Sequence, residues 1–496
     1  MHTDLFKKKL ALPKPSSSDE LSRWEATRRR RRVLLGEWEQ DLNDYISRHL
    51  GTARQGSWGP PSQALNLFKS IINQLAVIYD QDPLVSNDEL LPEQAEYVES
   101  LMLWSKAKHH SKLVLGLRES LIRIHWTPGN HVGAAGFYLR LVTPDYVEIE
   151  TSNDSPNNPV MIREALIRTD PRDEQEYWFF DEWDIRDPSN PTFKICESEG
   201  GKDVTHLFIE DETYSYIDDD GRPFLPWVLY HAEDTGRLFD CYGWNELLSG
   251  TYELALLWSY WVHIVKDASW AQKYGINVRL SGTSLSGDGR AERASIETDP
   301  SSLLMFEGMN GEAASLGNFV NSTDPKLISE SIIDFSSVII DNIGLTPSDY
   351  QKTVSESGVA IKLKRESIRR MQKMSEVSFR KSDEELLTKV SMINNLFTEN
   401  IKLPVTGWHI EYQSLTEDND EIKSKLELNK SLLDLGLITM VDFIQRMNPG
   451  LSREDAANKL LSNIEEDAMF SKIRRVSLEE PKIEEEPIEI KSEVEA

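Results

Sequence analysis

Cysteine is nearly absent, with only Cys196 and Cys241 in 496 residues. A chain this long with two thiols is not held by a disulfide framework, and reduced thiols fit a cytoplasmic setting. Long apolar runs are missing as well. The best candidate, Leu254–Val265, is interrupted by His263 and falls short of the roughly 20 apolar residues that a membrane span requires. It reads as a buried or interfacial helix, and the protein is expected to be soluble. Met1–Leu12 has a basic start but neither the apolar stretch nor the small-residue site of a signal peptide. Positive charge is in deficit: 55 Lys and Arg stand against 83 Asp and Glu, a net of −28. This argues against free association with nucleic acid through a basic surface. A duplex that slides past protein is a different case, because many cation–phosphate pairs would hold it fast.

Catalytic signatures are equally sparse. No phosphate-binding G-x-x-x-x-G-K-[ST] occurs; Gly200–Gly201–Lys202 is followed by Asp203 and lacks the upstream glycine. Gly287–Asp288–Gly289 has no strand–turn–helix context for a dinucleotide. Asp218–Asp219–Asp220–Gly221 reads as a hairpin turn, since a calcium loop would need an oxygen ligand where Tyr216 stands. His109 and His110 are adjacent and so project from different helix faces. His125 and His131 have no partner at zinc-ligand spacing. There is no G-x-S-x-G elbow. We therefore expect no enzyme, no metal and no cofactor.

What is present is the composition of a folded protein, with 39% hydrophobic residues and 13 Trp, in a length that accommodates two to four domains. Residues 1–64 read as a mobile arm followed by a charged helix over Leu21–His49. That helix carries Arg28–Arg32, which fits a nucleic-acid-binding element or, more simply, a solvated face or subunit contact. Helices are expected at Leu65–Tyr79 and Ala95–Arg123. From Gly136 the pattern changes to alternating strands at Phe137–Val142, Tyr146–Glu150, Met161–Arg168, Tyr177–Trp183, Thr192–Glu197 and His206–Glu210, a meander. The Asp218–Gly221 turn joins Tyr214–Ile217 to Phe224–Tyr230.

The stretch from Tyr242 to Asn400 carries the most information. Tyr242–Trp270 has a broad apolar helical stripe including Leu254, Leu257, Trp258 and Trp261. A polar segment rich in Gly, Ser and Asn follows. Asp324 then stands as N-cap with Pro325 at the first helical position. The second helix shows the stripe Ile328, Ile332, Phe335, Ile339, Ile343, and Gly344 with Pro347 ends it. After Thr346–Glu356 one helix runs from about Ser357 to Asn400, with a heptad that breaks at Ser378–Asp383. Val405–Leu415 alternates as a strand returning to the sheet. Glu417–Phe470 is a helical unit with Gly436 at a helix end and capping boxes at Thr439/Asp442 and Ser452/Asp455. Its six Lys/Arg against twelve Asp/Glu would repel DNA from a helix-turn-helix. Ser471–Ala496 is Glu- and Pro-rich and expected to be disordered.

This order, with the junction GRPFLPWVLY at Gly221–Tyr230 and SESGVA at Ser355–Ala360, resembles the portal proteins of tailed double-stranded DNA bacteriophages over about Leu65–Phe470. The resemblance implies an α+β portal fold: an N-terminal arm and charged helix (1–64), the first part of the wing (65–241), a stem helix (242–271), a clip (272–323), a second stem helix (324–344), a tunnel loop (345–357), a long wing helix and returning strand (358–416), a helical crown (417–470) and the acidic tail (471–496). It implies a homo-oligomeric ring, usually a dodecamer, at one capsid vertex of the virion, assembled in the host cytoplasm. Double-stranded DNA passes through without sequence specificity. The partners implied are the terminase large subunit, the major capsid and scaffolding proteins, and head-completion or adaptor proteins; no membrane is involved. Lys352, with Lys362, Lys364 and Arg365 just after it, is then expected to face DNA in the tunnel. Arg279, Arg290, Glu292 and Arg293 are expected in the clip docking surface. Leu254, Leu257, Trp258, Trp261, Ile332, Phe335 and Ile339 would pack the stem, and Asp at Ile332 and Phe335 is expected to abolish assembly. The Arg28–Arg32 run and the acidic tail lie outside the shared architecture. A monomeric helical adaptor, or a nucleic-acid-processing enzyme without a recognisable motif, remain the alternatives.

Overall fold

The computed structural model describes residues 13–50, 63–127, 136–152, 155–209, 214–269, 272–276, 278–280, 306–308, 315–319, 324–346, 358–398, 401–412, 419–447 and 453–464. The chain divides into two compact units, Met1–Leu415 and Thr416–Ala496. The architecture is mixed helix and antiparallel sheet.

Helix α1 (Ser18–Leu35) starts where the Ser17 hydroxyl accepts the Glu20 N–H, and it stops at Gly36, whose φ of 87° is one that glycine adopts most readily. That stop divides the single helix expected over Leu21–His49; α2 is Glu39–Leu50. Most of the arginine run is turned into the protein, with Arg29 left exposed. Arg28 and Arg30 are buried. Arg30 donates to the carbonyls of Gly116 at 3.1 Å, Cys241 at 2.9 Å and Gly243 at 2.5 Å. Arg28 and Arg31 pair with Asp145, Arg32 grips Asp41 through two hydrogen bonds, and Arg29 lies 4.3 Å from the Tyr252 ring. The expectation of a nucleic-acid element or solvated face is thereby corrected. A guanidinium has five donors in a fixed fork, which suits it to gather carbonyls that no helix or sheet ladder satisfies.

Helix α3 (Leu67–Leu75) is capped by Asn66, and strand β1 spans Leu84–Ser86. The long helix expected over Ala95–Arg123 is two helices, α4 (Pro92–Ser100) and α5 (Ala107–Leu117), with a short 3-10 turn between them. Met102 and Arg118, both at positive φ, make the breaks. Strand β2 (Glu119–Thr127) follows and pairs with β3 (Gly136–Val142). Strands β4 (Val147–Ser152), β5 (Ser155–Thr169), β6 (Glu176–Asp184) and β7 (Thr192–Glu197) form an antiparallel meander in sequence order. The strand expected at His206–Glu210 is instead a 3-10 turn over Thr205–Leu207, because Asp203 captures the Thr205 N–H and hydroxyl and curls the backbone. Asp218 accepts from the N–H groups of Asp220 and Arg222, the turn foreseen there. Strand β8 (Trp227–His231) then joins β2, giving a three-stranded sheet ordered β3-β2-β8. Between the two sheets, Arg123 stacks 4.2 Å from the Trp183 ring and ion-pairs with buried Glu164 and Asp181.

Helix α6 spans Asn245–Ser269. Beyond it, β9 (Gln272–Ile276), β10 (Val278–Leu280), β11 (Phe306–Gly308) and β12 (Ser315–Phe319) pair as β9 with β12 and β10 with β11, both antiparallel. Helix α7 is Pro325–Asn342, and α8 runs 40 residues over Gly358–Phe397, about 60 Å. The heptad break on α8 now has a cause. Strand β8 is a sheet edge, and α8 lies along it: Ser378 donates to His231 O at 2.8 Å, Ser382 to Leu229 O at 3.1 Å, and Lys389 to Trp227 O. The polar side chains that spoil a coiled coil thus cover carbonyls that would otherwise await another strand. Asp383, fully buried beside them, accepts hydroxyl hydrogen bonds from Tyr79, Tyr230 and Tyr412 at 2.7, 2.8 and 2.5 Å. The strand expected to return to the wing sheet is a correction of another kind: β13 (His409–Glu411) pairs with β1, in a two-stranded sheet of its own.

The second unit holds α9 (Asn419–Asp434), α10 (Met440–Met447) and a helix over residues 453–464, α11. Helix α9 ends at Gly436, φ 68°, with the Gly436 and Leu437 N–H groups returning to Leu433 and Leu432. Thr439 and Asp442 form the reciprocal capping box. Ser452 and the acidic tail lie outside the described residues.

Candidate functional site

The helix pair α6/α7 is built from strong local signals. Asp324 accepts the Lys326 N–H at 2.8 Å and Pro325 opens α7. At the other end Gly344, φ 79°, returns its N–H to Asp341 O while Leu345 reaches Ile340 O, a Schellman close. The two helices approach closely at Gly250, where an added Cβ would stand 2.5 Å from Ile339 Cδ1. Trp261 Nε1 donates to Pro325 O at 3.0 Å, tying the later part of α6 to the start of α7. Trp258 and Trp261 stack at 4.6 Å.

All seven stem residues foreseen from the sequence gather in one hydrophobic cluster. Leu254, Ile332 and Ile339 are buried, and Leu257, Trp258, Trp261 and Phe335 are partly buried against them. Ile332 is only 6% exposed within the single chain, so an Asp there would disrupt the fold itself and could not report on any assembly. That expected test is corrected accordingly.

Three apolar side chains remain exposed on α7, among charged neighbours such as Lys326, Glu330 and Asp334. Leu327 is 62% exposed, Ile333 48% and Val338 54%. At about 100° per residue, Leu327 and Val338 fall on one flank of the buried Ile332/Ile339 stripe and Ile333 on the other. Sequence reasoning passed over these three. The signal was present in the adjacent pairs Ile332–Ile333 and Val338–Ile339, of which only one member each can face α6.

The other sites lie less fully in view. Lys352, Arg290, Glu292 and Arg293 are outside the described residues. The backbone of Lys362, Lys364 and Arg365 forms early turns of α8, and Arg279 sits on β10 in register with Glu307; their side chains are outside the described set. Among the described residues no group of His, Cys, Asp and Glu is suited to a metal ion, and no helix is long and apolar enough to cross a membrane. The groups with displaced titration are held structurally. Burial pushes Glu119 up to about 7, against the Asp240 N–H and the charges of Arg118 and Arg30. Burial also lowers His125 to about 3, helped by Arg123, Arg140 and Arg168.

No known protein family and no curated protein matches the chain.

Proposed function

We propose that the chain is a subunit of a portal ring of a tailed double-stranded DNA bacteriophage. In this reading it sits at one capsid vertex as the channel for genome packaging and ejection. It docks the terminase large subunit, and later the head-completion and tail proteins, and is assembled with the major capsid and scaffolding proteins. The observation that carries the reading is α7. Its central stripe is spent on α6, yet Leu327 and Val338 on one flank and Ile333 on the other remain exposed, the distribution a subunit needs when it has a neighbour on each side. The order helix, antiparallel ribbon, helix, 40-residue helix supports it, as do the quoted junction motifs.

Light scattering with negative-stain imaging of one purified fraction tests it. Closed rings near twelve subunits are expected, with Leu327→Asp and Ile333→Asp leaving a folded subunit that no longer closes. A monomer at every concentration, with or without scaffolding and capsid protein, would instead favour a helical adaptor. Metal-dependent turnover of nucleic acid would favour an enzyme.

A further inference from the structure

Apart from the helix pair, the first unit contains a cavity of about 280 Å³ where α5, the turn before it, β3 and α8 meet. Its walls combine aliphatic and aromatic side chains. Tyr79 and Trp104 lie stacked with centroids 6.1 Å apart, and Phe137, Tyr138 and Tyr230 add three more rings beside leucines such as Leu103, Leu139 and Leu386.

Three observations set it apart from a packing gap. First, His110 lines it, is 2% exposed, and its Nε2 has no hydrogen-bond partner among the described residues. A buried polar atom without a partner is uncommon and asks for an explanation. The ring meets Tyr230 edge-on at 4.5 Å, and burial lowers its pKa to about 3, so the imidazole stays neutral. Second, Asp383 also lines the cavity, but its carboxylate already receives three tyrosine hydroxyls. It is not a free acceptor; it locks Tyr79 and Tyr230 in place and so preorganises two walls. Third, the rim holds Met102, a non-glycine residue at φ 49° with 74% of its surface exposed. Left-handed backbone at a bulky residue is strain of the kind found at ligand sites.

We propose that this cavity binds a small aromatic molecule carrying a hydroxyl, its ring among Tyr79, Trp104 and Tyr230 and its hydroxyl on His110 Nε2. Apolar walls that include several rings, with a convergent polar atom that lacks a partner, are what such a ligand requires. A hydroxyl satisfies Nε2 in either tautomer, since it both donates and accepts. The site is independent of ring formation.

Phenol and toluene, alike in shape and different in the hydroxyl, are the probes, titrated into the full chain by calorimetry with saturation-transfer NMR. Both are expected to saturate. His110→Phe should weaken phenol roughly fivefold, one neutral hydrogen bond's worth, and leave toluene within about twofold. Ser105→Trp, at an exposed rim position, should weaken both without touching the core. Absence of saturable phenol binding would overturn the proposal. So would an equal effect of His110→Phe on the two probes, or an unchanged affinity for both in Ser105→Trp.

Discussion

Asp383 shows what one misplaced-looking residue accomplishes. On sequence it interrupts a heptad; in the fold it is buried at the contact of α8, β8 and the segment that follows β13. Burial raises its pKa from 3.8 to about 6, opposed by the hydrogen bonds of Tyr412, Tyr79 and Tyr230. Because the folded value lies above the unfolded one, the contribution is fully present below about pH 4 and is lost as pH rises through 6. The loss is on the order of 3 kcal/mol. Urea midpoints of wild type across pH 4 to 7 should therefore fall relative to Asp383→Asn, whose own profile lacks this slope. Arg30 makes a second case. Its removal orphans three carbonyls in the core, and Arg30→Ala is expected to cost about 3 kcal/mol or more by denaturant unfolding. Arg29→Ala, at an exposed position, should cost less than about 1 kcal/mol. Equal costs would mean that the run acts as surface charge after all. A local reading could not have separated the five arginines. What Arg30 meets lies 86 to 213 residues away along the chain, and a basic run looks the same whether it turns out or in.

At the scale of elements, legibility follows the range of the causes. The caps at Asp324, Gly344, Gly436 and Thr439 were readable because each uses groups within a few residues of itself. The β4–β7 part of the meander was readable for the same reason, its strands pairing with sequence neighbours, whereas Phe137–Val142, expected in that meander, pairs with β2 in the other sheet. Strand β2 was not, since Arg118 takes the left-handed turn where glycine would have announced it, leaving an unbroken apolar run from α5 into the strand. Nor was the β1–β13 pairing, which spans more than three hundred residues. Of the candidate site, the buried stripe of α6 and α7 was legible, whereas the exposed flanks were not, because periodicity marks an apolar residue without saying which neighbour covers it. The close approach of these helices gives an element-level test. Gly250→Val places a side chain where Ile339 already stands and should lower stability by about 1–3 kcal/mol. Pairing it with Ile339→Ala should recover part of that loss; no recovery would mean that the contact is not the limiting one.

For the whole molecule the dominant fact is a net charge of −28 on each chain. In the ring we propose, closure would set like charge against like, so apolar contacts would carry assembly and repulsion would oppose it. Screening shortens that repulsion to about 8 Å at physiological ionic strength and to about 3 Å at 1 M. Ring formation is therefore expected to rise with salt, read as the oligomer fraction in light scattering between 50 mM and 500 mM NaCl. A fall with salt would point to ion pairs as the joining force.

The strip of α8 that covers the edge of β8 is made late. On the ribosome, Trp227, Leu229 and His231 emerge well before the Ser378, Ser382 and Lys389 that will seal them, 147 to 162 residues earlier in the chain. At about 5–20 residues per second, the exposed carbonyls wait roughly 8–30 s. Through that interval the nascent chain carries an open β-edge, available to the same edge of a chain on the next ribosome of the same message. Truncated products that end before Ser378 never close it. Fragments of this kind are therefore expected to go to inclusion bodies under conditions that keep the full chain in solution.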